Sequence, residues 1–205
     1  MVHTPASLAA GIAHLTATEP ALAAAIDRHG HPEPRRSERG TAALLRTIVG
    51  QQVSVAAARS MWNKLAAAYG DPPDLARLAA ASDEELRALG QSRQKAGYLR
   101  SLATLTLSGE LDLDHLPEDN EEAIALLTKV KGIGRWSAEI YLLFAEGRAD
   151  VFPAGDLAVQ IELGRLLGTA ERPSEKWLRE RAAAWAPYRG AAAVLAWHSY
   201  NTKVL

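Results

Sequence analysis

The sequence predicts an all-α protein, and three kinds of observation carry that reading. Apolar residues recur at intervals of three and four: Leu45, Ile48 and Val49 form one stripe, and Trp136, Ile140, Leu143 and Phe144 another. Alanine and leucine, both good helix formers, abound, and no run alternates as a half-buried strand would. Start and stop signals punctuate the chain. Ser82 followed by Glu85 is a capping box, in which hydroxyl and carboxylate satisfy each other's backbone donors. Gly70, Gly90, Gly147 and Gly168 each follow an apolar-periodic run and read as C-terminal stops. The pattern accommodates roughly nine or ten helices.

Between the helices lie a polar, Pro-containing linker from His31 to Arg39, a loop from Ser108 to Glu118 and another from Gly147 to Gly155. With 205 residues, 48% of them apolar, the chain is long enough to bury a sizeable core. Cysteine is absent, which excludes disulfides, thiolate metal sites and iron–sulfur clusters and fits a reducing compartment. No apolar run reaches the ~18 residues of a membrane span. The first residues, MVHTPASLAAGIAHL, lack the basic start and long apolar stretch of a signal peptide. The formal net charge of −1 does not by itself advertise a nucleic-acid partner, so local charge decides.

The most informative segment is Leu127–Phe144, LTKVKGIGRWSAEIYLLF. Gly132-Ile133-Gly134 separates two helical patterns, and glycine allows both a tight reversal and close backbone approach. The following helix would begin there, presenting its first amides and the positive end of its dipole, a natural seat for a phosphate. Lys129, Lys131 and Arg135 flank the turn with no acid between them. A Gly-x-Gly turn alone is a weak signal, equally at home in an ordinary helical hairpin.

The whole segment, including Ser137-Ala138, resembles the helix-hairpin-helix motif of the base-excision DNA glycosylases (HhH-GPD superfamily). Further segments extend the resemblance in the same order along the chain. Val151-Phe152-Pro153-Ala154-Gly155-Asp156 looks like the loop that ends in the family's catalytic aspartate. Ile48-Val49-Gly50-Gln51-Gln52-Val53-Ser54 and Gly90-Gln91-Ser92-Arg93-Gln94-Lys95-Ala96 are similar to segments of the DNA-3-methyladenine glycosylase II branch in its compact form. The match runs from about Thr41 to the C-terminus. It implies two helical subdomains with an active-site cleft between them: 41–146, with the hairpin, and 1–40 plus 147–205, with Asp156.

The resemblance also implies roles. Asp156 becomes the catalytic carboxylate, although aspartate is equally a favoured N-cap and one carboxylate could serve both purposes. Beside the sugar it would stabilise the positive charge that grows as the N-glycosidic bond breaks, and orient or deprotonate the attacking water. Asp150, the competing acid, reads as a solvated loop residue. Trp136 stands where bifunctional relatives carry a lysine; indole has no amine for a Schiff base, so hydrolysis without strand cleavage is expected. Trp136, Ile140, Trp197 and His198 are assigned to the base pocket, where an aromatic face would attract a cationic alkylpurine; core packing is the competing role for both tryptophans. Ile140 and His198 replace aromatics expected there. Gln51, Gln52, Lys131, Gly132, Ile133, Gly134 and Arg135 are the expected DNA contacts, with Gln52 the wedge that fills the gap left by a flipped base. A polar, solvated face is the plain alternative for the glutamines. The backbone carbonyls of Thr128, Val130 and Gly132 are the expected ligands of a monovalent cation, Na or K. His29 and His31 read as linker residues rather than metal ligands.

The function expected is removal of alkylated purines, such as 3-methyladenine and 7-methylguanine, from double-stranded DNA by a monomeric enzyme needing no cofactor. It would act in the cytoplasm, or in the nucleus of a eukaryote. The competing readings are a non-catalytic helix-hairpin-helix DNA-binding module, an all-α interaction scaffold, and a glycosylase for a different lesion, including the adenine-mismatch branch, whose members usually carry cluster-binding cysteines.

Overall fold

The computed structural model describes residues 5–202. Among them are twelve α-helices and one 3₁₀ turn, Ala183–Trp185, and no strand. The excess over the sequence expectation comes largely from α5 (Leu75–Ala80) and α6 (Asp83–Ala88), six residues each and too short to display a helical period. Asp74 caps α5 and Ser82 caps α6, the latter with the full Ser82–Glu85 capping box. The expected stops Gly70, Gly90, Gly147 and Gly168 all take positive φ. No described helix is long and apolar enough to cross a membrane.

The chain divides into two compact units. One comprises Glu38–Ala138. The other comprises the described residues up to Ser37 and from Glu139 on. The second junction therefore falls inside α9 (Arg135–Phe144), not after Glu146 as expected. The reason is packing: Glu139, Leu142 and Leu143 are all buried, and Glu139 pairs with Arg179 of its own unit.

In the first unit, α7 (Arg93–Leu107) is the organising helix. It packs against α3 (Thr41–Gly50), α5 and α6, burying Ala96, Leu99, Leu102 and Ala103. Each fully buried leucine is worth roughly 1.5–3 kcal/mol. α4 (Val55–Tyr69) packs on α3, and α8 (Asn120–Leu127) leads into the hairpin before α9.

In the second unit that place is taken by α12 (Arg189–Thr202), in which Gly190 through Ala196 are all buried. A stretch apolar on every side for seven residues belongs in a core, and its alanines let neighbours come close. α1 (Pro5–Thr18), α2 (Pro20–His29) and α10 (Leu157–Leu166) surround it. The approach of α1 is tight: a Cβ on Gly11 would lie 2.8 Å from the Ala191 Cβ. α11 (Glu175–Ala182) lies against the 3₁₀ turn.

Candidate active site and nucleic-acid interface

Asp156 stands at the end of a loop that the protein holds firmly. Phe152 meets Trp185 edge-on, with ring centroids 5.9 Å apart. The Arg179 guanidinium donates to the Phe152 carbonyl at 3.2 Å and to Glu139 at 2.8 Å. Glu139 is only 2% exposed, so its charge is compensated where water cannot reach it. The Asp156 N–H donates to the Pro153 carbonyl at 3.0 Å, and the Gln160 amide reaches back to Ala154 at 2.9 Å.

The half-buried Asp156 carboxylate is the N-cap of α10. Its Oδ1 accepts from the Val159 N–H at 3.0 Å and from the Trp197 indole N–H at 3.1 Å. Bonds to a charged acceptor are the strong ones, and two of them fix the rotamer. Trp197 is half-buried and its ring meets Phe144 at 5.6 Å, so it neither packs as a plain core residue nor stands free. Trp197→Phe should keep an aromatic ring against Phe144 and drop the donor to Asp156. The rate of any reaction that Asp156 serves is expected to fall on the order of tenfold, with binding affinity preserved. An unchanged single-turnover rate would remove Trp197 from the positioning of Asp156.

His198 has a different task from the one expected. Its Nε2 donates to the His29 carbonyl at 2.9 Å, tying α12 to the end of α2. Adjacent positions on a helix point about 100° apart, so Trp197 and His198 serve different neighbours. Asp150 is likewise not a solvated loop residue. It takes both Arg189 guanidinium contacts at 2.8 Å and caps the Arg189 N–H at 3.2 Å, anchoring the start of α12.

The hairpin lies in the other unit. Val130 and Ile133 are buried beneath it, while Thr128, Lys129, Lys131 and Gly134 face solvent. Gly132, half-buried, takes φ +84°. α9 starts at Arg135, and its ladder opens with Ala138 N–H to Gly134 C=O at 3.0 Å. The expected unopposed basic run is corrected by tertiary structure: Glu121 of α8 grips Arg135 through both guanidinium nitrogens, at 2.8 and 2.5 Å. Lys129 and Lys131 are the exposed cations of the turn.

The Gln51-Gln52 segment comes to this hairpin. The Gln51 amide donates to the Gly132 carbonyl at 2.9 Å. Gln52 is exposed and takes φ +55°, the only non-glycine among the described residues with positive φ. Such a conformation costs roughly 1–3 kcal/mol and persists only where the surroundings impose it. Val55, just beyond, is 87% exposed. Trp136, 49% exposed, is no core residue; it borders an open cleft of about 820 Å³ with Gln51, Gln52, Lys95, Tyr98 and Gly132. Ile140 follows one turn later on α9, half-buried. Sequence reasoning placed no role on Lys95, Tyr98 or Arg179; their partners are distant in the chain.

Residues 45–187 match the model of the HhH-GPD superfamily base excision DNA repair proteins. The chain belongs to this superfamily. Among curated relatives, DNA-3-methyladenine glycosylase 1 of Schizosaccharomyces pombe is 33% identical over 166 residues, covering 79% of this chain and 72% of the relative. DNA-3-methyladenine glycosylase 2 of Escherichia coli is also 33% identical, but this chain spans only 56% of its length. Among solved structures, a Bacillus halodurans DNA-3-methyladenine glycosidase aligns with TM-score 0.86 and 31% identity, covering 95% of this chain and 90% of the other. The S. pombe 3-methyladenine DNA glycosylase in complex with abasic DNA aligns with TM-score 0.75 and 29% identity, covering 95% and 97%.

Proposed function

We propose that this HhH-GPD protein is a monofunctional DNA glycosylase that removes alkylated purines, of the 3-methyladenine and 7-methylguanine type, from double-stranded DNA and leaves an abasic site. The observation that carries the reading is the Asp156 carboxylate, oriented by Trp197 and the α10 amide in a chain whose relatives bear the name DNA-3-methyladenine glycosylase. The relative solved with abasic DNA supports DNA as the partner.

The chemistry follows from the charge. An alkylated purine is cationic, so its bond to C1′ breaks readily, with the bonding electrons leaving on the base. Positive charge then grows on the sugar. A fixed carboxylate is worth most at that moment, because it is already oriented and pays no reorganisation. Water bonds to C1′ and gives up a proton, for which Asp156 is the acceptor at hand. The exposed Trp136 offers the damaged base an aromatic face, worth roughly 0.5–2 kcal/mol. The hairpin amides and Lys129 and Lys131 hold phosphates, and Gln52 enters the stack.

A monovalent cation at the hairpin belongs to the same proposal. Neutral carbonyl oxygens suit such an ion, and Thr128 and Val130 supply two. The Gly132 oxygen already accepts the Gln51 amide at 2.9 Å and the Val130 oxygen the Ile133 N–H at 3.0 Å, so an ion would use the second lone pair of each. The enzyme would act as a monomer wherever its DNA resides, in the cytoplasm or a nucleus.

The hydrolytic mechanism is tested on a duplex with one abasic site. The wild type should form no borohydride-trapped adduct, and strands should break only after alkali. Trp136→Lys should trap poorly too, because an amine needs a tuned environment to attack. Efficient trapping by the wild type would mean that a lysine elsewhere in the chain acts as nucleophile, and the hydrolytic assignment would fall.

A further inference from the structure

One face of α7 touches both DNA-directed segments of its unit. Positions 95, 98 and 101 follow at intervals of three along that face. The Lys95 ammonium donates to the Val49 carbonyl at 2.7 Å, one of the last carbonyls of α3 before the Gly50–Gln52 turn. The Tyr98 ring lies directly on Gly132. The Ser101 hydroxyl accepts the Lys131 N–H at 3.1 Å. The Gln51 amide, bonded to the Gly132 carbonyl, closes the circuit from α3 through the turn to the hairpin and back to α7.

We infer that α7 is a strut that sets the Gln52 wedge turn in register with the phosphate-binding hairpin, and that Lys95 is the positioning residue for the wedge. Lys95 is 8% exposed, and burial pushes its ammonium below the ordinary lysine range. A buried cation is expensive, and an apolar residue of the same length would fill the space at lower cost. What the ammonium adds is a donor and a charge at the C-terminal end of α3, where both are favourable. Those contacts fix the direction in which the chain leaves the helix. Two residues later Gln52 adopts its left-handed conformation, which the neighbouring peptides must enforce. A wedge held this way enters the duplex at a depth fixed by the hairpin's grip on the phosphates. Wedge insertion and phosphate binding are therefore coupled through α7.

The inference rests on the proposed function for the entry of Gln52 into DNA and for the hairpin's hold on phosphates, and its test needs no base release. The probe is a duplex with a tetrahydrofuran abasic analogue and 2-aminopurine opposite it, whose fluorescence rises when a wedge displaces it from the stack. The wild type should give that rise, and Gln52→Ala should not. Lys95→Met should bind undamaged duplex within about twofold of wild type, yet lose its preference for the abasic duplex about tenfold, together with most of the fluorescence rise. Lys95→Arg, which keeps a cationic donor, should restore both. Ser101→Ala, a change at the half-exposed hairpin end, should weaken the rise about threefold and carries the test if Lys95→Met does not fold. A full rise in folded Lys95→Met, or in Ser101→Ala where Lys95→Met does not fold, would overturn the strut. So would a wild-type response independent of Gln52. A wild type that inserts its wedge but releases no alkylpurine would leave the strut standing and remove the proposed substrate instead.

Discussion

Asp156→Asn is expected to slow base release by about 10²–10³-fold while leaving affinity for abasic-analogue DNA within a few-fold of wild type. Asparagine keeps the shape and an acceptor oxygen for the Val159 and Trp197 N–H groups, so the cap on α10 survives. What disappears is the negative charge beside the sugar. Ground-state binding has little need of it, whereas the transition state does. Single-turnover release at saturating enzyme separates the two quantities. A variant that binds and releases bases normally would reduce Asp156 to a helix cap.

Gly132→Ala is the second large effect. The backbone there has φ +84°, a region costing an alanine roughly 1–2 kcal/mol. The new Cβ would also lie 2.1 Å from Tyr98 Cδ2 and 2.5 Å from its Cγ. Because the contact reaches Cγ, turning the ring about its Cβ–Cγ bond does not relieve it; Tyr98 would have to swing away about Cα–Cβ. If Tyr98 stays in place, either α7 shifts or the hairpin opens, and opening the hairpin breaks the Gln51 link to the Gly132 carbonyl. DNA affinity should fall on the order of 100-fold, and the melting temperature by roughly 5–15 °C. Fluorescence anisotropy at fixed salt reads the first and a melting curve the second. Affinity within twofold of wild type would mean that the hairpin backbone does not hold the phosphates.

Much of this was written locally. The capping box at Ser82, the glycine stops and the Gly132–Gly134 turn are short-range devices, and each takes the form its residues dictate. The candidate residues Asp156 and Gln52 were found from motif, and their surroundings were not. Sequence showed a basic hairpin, but Glu121 lies fourteen residues before Arg135 and meets it only once α8 has folded back. Asp150 looked solvated because its partner, Arg189, is thirty-nine residues away. His198 stands where the resemblance expects a pocket aromatic, and its bond to the His29 carbonyl at the end of α2 carries no sequence signal. Lys95 lay within a recognised segment without a role, since its acceptor, the Val49 carbonyl, has no side-chain signature. Ion pairs and backbone acceptors reached across tens of residues leave no period or spacing to read.

The central claim is that this protein hydrolyses the bond between sugar and alkylated purine. The direct measurement is chromatography of the bases freed when the wild type is incubated with methylated duplex DNA, with the strands run on a gel before and after alkali. The account predicts free 3-methyladenine and 7-methylguanine, strands intact before alkali, and breaks after it. Tight, salt-sensitive DNA binding with no freed methylpurine would contradict the account and leave a DNA-binding module or a glycosylase for another lesion.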